Sequence, residues 1–254
     1  MKYILMVIFM LLWPFLLSSI AGLSTLIGCL FIFLPIKKKD EFIAFSLSLS
    51  LSVMLMVSVF DLIPEALKNL NEGVGRTYFT FAIFFLIGVF LVNIINKMIK
   101  KIKDNGNLYR LGILNFIALV LHNLPEGILT FMSTYSNFKL GLSLCIAITL
   151  HNIPEGISIA VPIYYATGSK WKAIKNTLIS GIAEPFGALM AFIILKKYVT
   201  PKMISLFLVL VAGIMITLSI NKMLPEALKY NKKKQIYIGL IIGTLLVFIS
   251  LFLH

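Results

Sequence analysis

The chain has 254 residues, of which 59% are hydrophobic and only 13% charged, about half the charge density of a soluble domain. Apolar stretches of the ~20 residues needed to cross a hydrocarbon core recur from end to end, which excludes a water-soluble fold. The excess of 23 Lys+Arg over 10 Asp+Glu does not point to nucleic acid, because the lysines cluster in short loops between apolar spans, where positive charge sets orientation.

In chain order, Met1 to Leu34 holds a single lysine followed by a long apolar run. A cleaved signal peptide fits poorly, since the apolar region is too long and no polar segment follows. The reading is one membrane helix with an apolar N-terminal extension, bent at Pro14. Charged or polar breaks then divide the chain into spans at 12–34, 42–67, 77–99, 110–133, 139–165, 172–197, 202–228 and 235–253. No Ser/Pro-rich linker separates them, so residues 1–254 are read as a single transmembrane transporter domain. Cys29 and Cys145 lie inside apolar spans, and no disulfide is expected.

Eight spans leave two sets of connections. One carries fifteen basic residues, among them Lys37–Lys39, Lys97, Lys100, Lys101, Lys103 and Arg110; the other carries seven, including Lys68, Arg76, Lys139, Lys196 and Lys197. The richer side is expected to be cytoplasmic, which puts both termini outside the cell.

Two internal repeats follow. Val53–Lys68 (VMLMVSVFDLIPEALK) and Ile214–Lys229 (IMITLSINKMLPEALK) coincide at seven of sixteen positions, and HNLPEGI at His122–Ile128 is matched by HNIPEGI at His151–Ile157. The first pair lies on spans two and seven and the second on spans four and five. Odd offsets make each pair antiparallel, the pattern of an inverted repeat with its site at the midplane, which favours a transporter over a membrane enzyme.

The chemistry concentrates in the second repeat, which holds two of the three histidines. Positions i and i+4 of a helix share a face, so His122 pairs with Glu126 and His151 with Glu155. Imidazole with carboxylate suits zinc, iron, manganese or cobalt. Two such faces supply ligands for one metal, or for two with Glu126 and Glu155 bridging. Pro125 and Pro154 free carbonyls of their usual partners, a break tolerated where backbone is buried or lines a wet cavity. Asn123 and Asn152 can offer neutral oxygens to a second ion. The alternative, polar glue between two helices, is disfavoured because ionised groups at mid-bilayer cost several kcal/mol.

Glu184, in SGIAEPFGALMAF, reads as a fifth ligand, a proton-linked carboxylate or a structural acid. Met54 and Met215 occupy matching repeat positions; a thioether can guide a soft metal, though Met in apolar helices is commonly filler. Asp61, Glu65 and Glu226 near helix ends can line a cation pathway or pair with lysines. Lys222 stands where symmetry with Asp61 calls for an acid, and needs to snorkel or to pair with one. A membrane metalloenzyme is the competing class, but no HExxH is present and di-iron helical sites use Glu-x-x-His spacing.

Both HN-PEG strings, SGIAEPFGAL in span six and the paired PEAL helices resemble the ZIP (Zrt-, Irt-like protein) family of divalent metal transporters, in its bacterial ZupT-type branch. The resemblance covers nearly the whole chain. It implies an all-α polytopic fold of eight transmembrane helices in a 3+2+3 arrangement, with the metal site on helices four and five. It further implies import of divalent metal into the cytoplasm: zinc foremost, with iron, manganese, cobalt and cadmium as further cargo. Carried over by position, His122, Glu126, His151 and Glu155 form the primary site, with Met54 approaching from helix two. Asn123, Asn152 and Glu184 join the shared carboxylates in a second site. The family's histidine-rich cytoplasmic loop is missing, and Lys222 replaces an acid common in relatives. The expected partners are the metal ions and the lipid bilayer, with a homodimer allowed, and neither a resident cofactor nor nucleic acid.

Overall fold

In the computed structural model, residues 2–70, 73–100, 106–195 and 200–253 are described. Lys101, Lys103, Lys196 and Lys197 of the charge count lie outside them. The described residues form helices and no strand. Eight helices are long and apolar enough to cross a membrane: α1 Leu11–Phe33, α2 Lys39–Lys68, α3 Val74–Ile99, α4 Gly106–Ser136, α5 Phe138–Thr167, α6 Lys170–Ile193, α7 Lys202–Lys229 and α8 Lys233–Leu253. The chain is a multi-pass membrane protein.

Most helices extend a few residues past the spans read from hydropathy, because capping groups sustain the helix beyond the apolar stretch. The Asn137 side chain accepts hydrogen bonds from the Lys139 and Leu140 amides at the start of α5. Ser169 and Thr200 do the same for α6 and α7, where Pro201 occupies the first turn. Gly168, at φ +68°, closes α5 by donating its N–H to the Tyr164 carbonyl at 2.7 Å, a left-handed position that glycine adopts without penalty.

The first span changes pitch along its length. The helix runs uninterrupted from Lys2 through Pro14 to Ser24, and its change of pitch comes at Thr25–Phe33, nine residues of 3-10 helix. So long a 3-10 run is uncommon. Here it lies against α5, where Gly28 meets the Gly156–Ile157 backbone and Gly156 meets the Thr25 carbonyl so closely that neither tolerates a Cβ.

The long repeat leaves a matched local signature. Ser58–Leu62 in α2 and Ser219–Met223 in α7 are both π turns at equivalent repeat positions, each followed by a short α-helix with proline in its first turn. A wide turn accommodates a proline that neither donates an N–H nor tolerates the carbonyl one turn back. It also places Asp61 in one copy and Lys222 in the other at the same point of the helix.

The helices α4 and α5 pack on each other at the centre. α1 lies against α4, α5 and α6; α2 joins α5 to α8; and α7 joins α4 to α3. Lipid tails are as apolar as leucine, so burial of apolar area does not hold such helices together; close backbone approach and interhelical hydrogen bonds do. On α2, Ser48 and Ser52 face Gly239 and Gly243 of α8, and Ser52 Oγ donates to the Leu240 carbonyl at 2.9 Å. At the periphery, Phe79 and Phe90 of α3 and Ile241 and Phe248 of α8 are exposed, as befits faces solvated by lipid.

Candidate metal centre

The HN-PEG strings fall inside unbroken helices, so the i, i+4 geometry read from sequence holds in both. The side chains of His122, Glu126, His151 and Glu155 are all buried. Two of the four converge on an oxygen of a third: Glu126 Oε1 lies 3.2 Å from His122 Nε2 and 3.0 Å from His151 Nε2. Glu155 Oε1 approaches His122 Nε2 at 3.4 Å. The two imidazole centroids are 6.3 Å apart. Among the described residues, His122, Glu126 and His151 form a compact group able to hold a metal ion.

These separations match a coordination polyhedron. A tetrahedral ion with bonds of about 2.0–2.1 Å has ligand atoms about 3.3–3.4 Å apart along each edge, against 3.0–3.4 Å here. Apart from the hydrogen bond between His151 Nε2 and Glu126 Oε1 at 3.0 Å, the surrounding donor atoms are not consumed by the protein. His122 Nε2 and Nδ1, Glu126 Oε2 and both oxygens of Glu155 are buried without a hydrogen bond, although burying an unpaired polar group costs about 1–3 kcal/mol. Orphaned donors of this kind around one point fit a ligand that supplies the missing partner.

The two asparagines are oriented alike. Asn123 Nδ2 donates to the Ser180 carbonyl of α6 at 3.0 Å, and Asn152 Nδ2 to the Ala21 carbonyl of α1 at 2.9 Å. Each amide nitrogen is thereby pinned by a neighbouring helix, leaving Asn123 Oδ1 and Asn152 Oδ1 buried without a partner. Glu184, fully buried on α6, accepts from Asn152 Nδ2 through Oε1 while its Oε2 is unpartnered. Its backbone sits where a Cβ on Gly127 would go, so the glycine after Glu126 is what lets α6 approach the site.

Met54, like Met215 at the matching repeat position, is fully buried in the apolar core. Asp61 and Glu65 line a cavity of about 210 Å³ that also includes Lys68, Ser133 and, at its inner end, Glu126. Glu65 and Glu226 each face the lysine three residues on, Lys68 at 3.9 Å and Lys229 at 2.5 Å. Lys222 and Glu226 line a separate cavity of about 260 Å³ between α3, α4 and α7, away from the histidines.

Sequence reasoning missed the residues that hold these ligands in place. Ser50 Oγ donates to the Pro154 carbonyl at 2.6 Å, and Asn115 Nδ2 to the Ser158 carbonyl at 2.9 Å, binding α4 to α5 one turn from Glu155. The alternating SLSLSLS of residues 46–52 was an available signal: Ser at two-residue spacing on a membrane helix puts hydroxyls on opposite faces, where they can reach neighbouring helices on both sides.

The profile described as ZIP Zinc transporter matches residues 106–251, which span the whole of this centre. Over nearly its full length the chain is similar to proteins named zinc transporter ZupT. The relative from Oceanobacillus iheyensis is 40% identical over 94% of this chain and 97% of its own length. That from Chlorobium luteolum is 39% identical over 94% and 96%, and that from Streptococcus mutans 37% identical over 94% and 96%. The chain belongs to the ZIP family. Within that family frame, the buried His/Glu centre stands on the two HN-PEG strings from which the resemblance was read.

Proposed function

We propose that the chain imports zinc, with iron, manganese, cobalt and cadmium as further cargo, into the cytoplasm through the His122–Glu126–His151 centre. The observation that carries this reading is the convergence of two imidazole nitrogens on Glu126 Oε1 at tetrahedral-edge distances, in a setting where the surrounding donors lack protein partners. Zinc is favoured because the relatives bear that name and because two nitrogens with carboxylate oxygen suit it. Irving–Williams ordering gives the site no strict discrimination against the other ions.

Direction follows from loop charge. The lysine-rich connections mark the cytoplasmic side, so both termini and the Asp61 end of α2 face outward. The cavity from Asp61 and Glu65 down to Glu126 is then the outer approach. Carboxylates at its mouth raise the local concentration of divalent cations, and Glu126 is the first site ligand a dehydrating ion meets. Asn123, Asn152, Glu155 and Glu184 offer oxygens alone, a harder set that would hold a second ion with the carboxylates shared; Met54 would approach from α2. Release inward requires the outer approach to close, and antiparallel 3+2+3 repeats provide two related arrangements for that exchange.

Zinc uptake into proteoliposomes, compared between wild type and His122→Ala plus His151→Ala, tests the reading. Saturable entry abolished in the double variant is expected. Undiminished entry through a folded double variant would sink it.

A further inference from the structure

We infer that the 260 Å³ cavity between α3, α4 and α7 is a binding site for a phosphate group. Four cationic side chains line it: Lys100 at the end of α3, Arg110 in the second turn of α4, and Lys222 and Lys229 on α7. Its single carboxylate among the described residues, Glu226, is engaged by Lys229 at 2.5 Å. Among the described residues no acid lies within ion-pair distance of Lys100, Arg110 or Lys222; Arg110 has only the Asn107 amide oxygen, at 3.4 Å. Asn107 and Asn221 add neutral donors to the lining.

The start of α4 adds to this field. The helix begins at Gly106 beside the cavity and has no acidic residue in its first turn, so within that turn no side chain offsets the positive dipole end. A guanidinium, ammonium groups and a helix start around one volume are the components that bind phosphate oxygens. A volume of 260 Å³ holds several waters at about 30 Å³ each, which is ample for a phosphate and its hydration.

The internal repeat supplies the contrast. At the other end of the molecule the equivalent positions are Asp61, Glu65 and Lys68, and the cavity they line is acidic and reaches Glu126. Exchange of aspartate for lysine at one repeat position, with Arg110 and Lys100 added, turns the second cavity basic. It holds none of the histidines or carboxylates of the metal centre, and its excess positive charge repels a divalent cation. The same phosphate chemistry is offered by the headgroup of an anionic lipid, for which basic pockets between membrane helices are suited, and by a free phosphate.

The full chain in neutral detergent separates the two sources. Native mass spectrometry measures retained phosphatidylglycerol against phosphatidylcholine, and thermal unfolding measures protection by inorganic phosphate against chloride. Both are run on wild type, on Arg110→Gln plus Lys222→Gln, and on Arg76→Gln plus Lys139→Gln as a charge-matched control at the opposite end. Zinc affinity on each preparation reports that the fold and the metal centre are intact. Loss of two cations weakens the interaction about 30-fold. Phosphatidylglycerol retention lost only in the Arg110/Lys222 variant assigns a lipid headgroup; phosphate protection lost only there assigns a free phosphate. If wild type shows neither preference, or if both variants lose them equally, the inference is overturned. The wild-type comparison stands even if the double variant does not fold.

Discussion

Replacing Gly127 with alanine tests whether close approach of α6 builds the metal centre. A Cβ at this position would lie 2.6 Å from the carbonyl carbon and 2.8 Å from the Cα of Glu184, and closer still to its carbonyl oxygen. All three are backbone atoms, so no rotamer change relieves the clash. Carbon–carbon contact is comfortable near 3.5–4.0 Å, which requires α6 to recede by about 1 Å. Overpacking of this kind costs about 1–3 kcal/mol, and the displaced segment carries the carboxylate that Asn152 holds. A displacement of that size at a ligand corresponds to about a tenfold loss of zinc affinity, or about 1.4 kcal/mol. The assay is competitive zinc titration on detergent-purified protein, with thermal unfolding in parallel. The control is Gly75→Ala, where an added Cβ meets nothing within 4 Å. If Gly127→Ala matches that control in both zinc affinity and unfolding temperature, the close approach has no role in the site.

Other expectations follow from the same geometry. Glu126→Gln keeps the shape but removes the charge on which both imidazoles converge, and zinc affinity measured by the same titration falls by at least about 100-fold; a fall of less than threefold would remove Glu126 from the centre. Metal must displace protons from these ligands, so zinc affinity drops as pH is lowered, and a flat profile across the acid range would contradict the ligand set. Ser50→Ala leaves the Pro154 carbonyl without its donor and lowers stability by about 0.6–2 kcal/mol in a chemical-unfolding comparison; an unchanged midpoint would show the bond contributes nothing. Outside the spans, burial first and then the Glu226 and Asp40 carboxylates push the Tyr230 phenol up to about 12. An acid raised in the fold stabilises fully below its ordinary value near 10 and loses that contribution as pH rises through 10 to 12. Ultraviolet titration of phenolate in Tyr230→Phe should lack the highest-titrating component, and an unaltered curve would refute the assignment.

Much of this was legible because the membrane simplifies the code. Apolar length alone marks a span, and each of the eight spans was read within about four residues of its helix. The centre was legible for a related reason: His122 and Glu126, or His151 and Glu155, are too costly in lipid to be incidental, and i, i+4 spacing fixes their common face. What periodicity could not give was pitch. The 3-10 run at Thr25–Phe33 is dictated by contact with Gly156 on a distant helix, whereas Pro14, the residue with a local signal, leaves its helix unbroken. The π turns at Ser58 and Ser219 were likewise invisible singly, though the shared PEALK tails announced that the two segments would be alike. Orientation of the asparagine amides also needed the fold, since the carbonyls that pin them belong to α1 and α6.

The position of bound zinc tests the central claim most directly. Anomalous diffraction at the zinc edge from crystals grown with the metal should place an ion within bonding distance, about 2.0–2.2 Å, of His122 Nε2, His151 Nε2 and a Glu126 oxygen. A well-occupied zinc elsewhere in the membrane region, with no anomalous signal between these three side chains, would contradict the account.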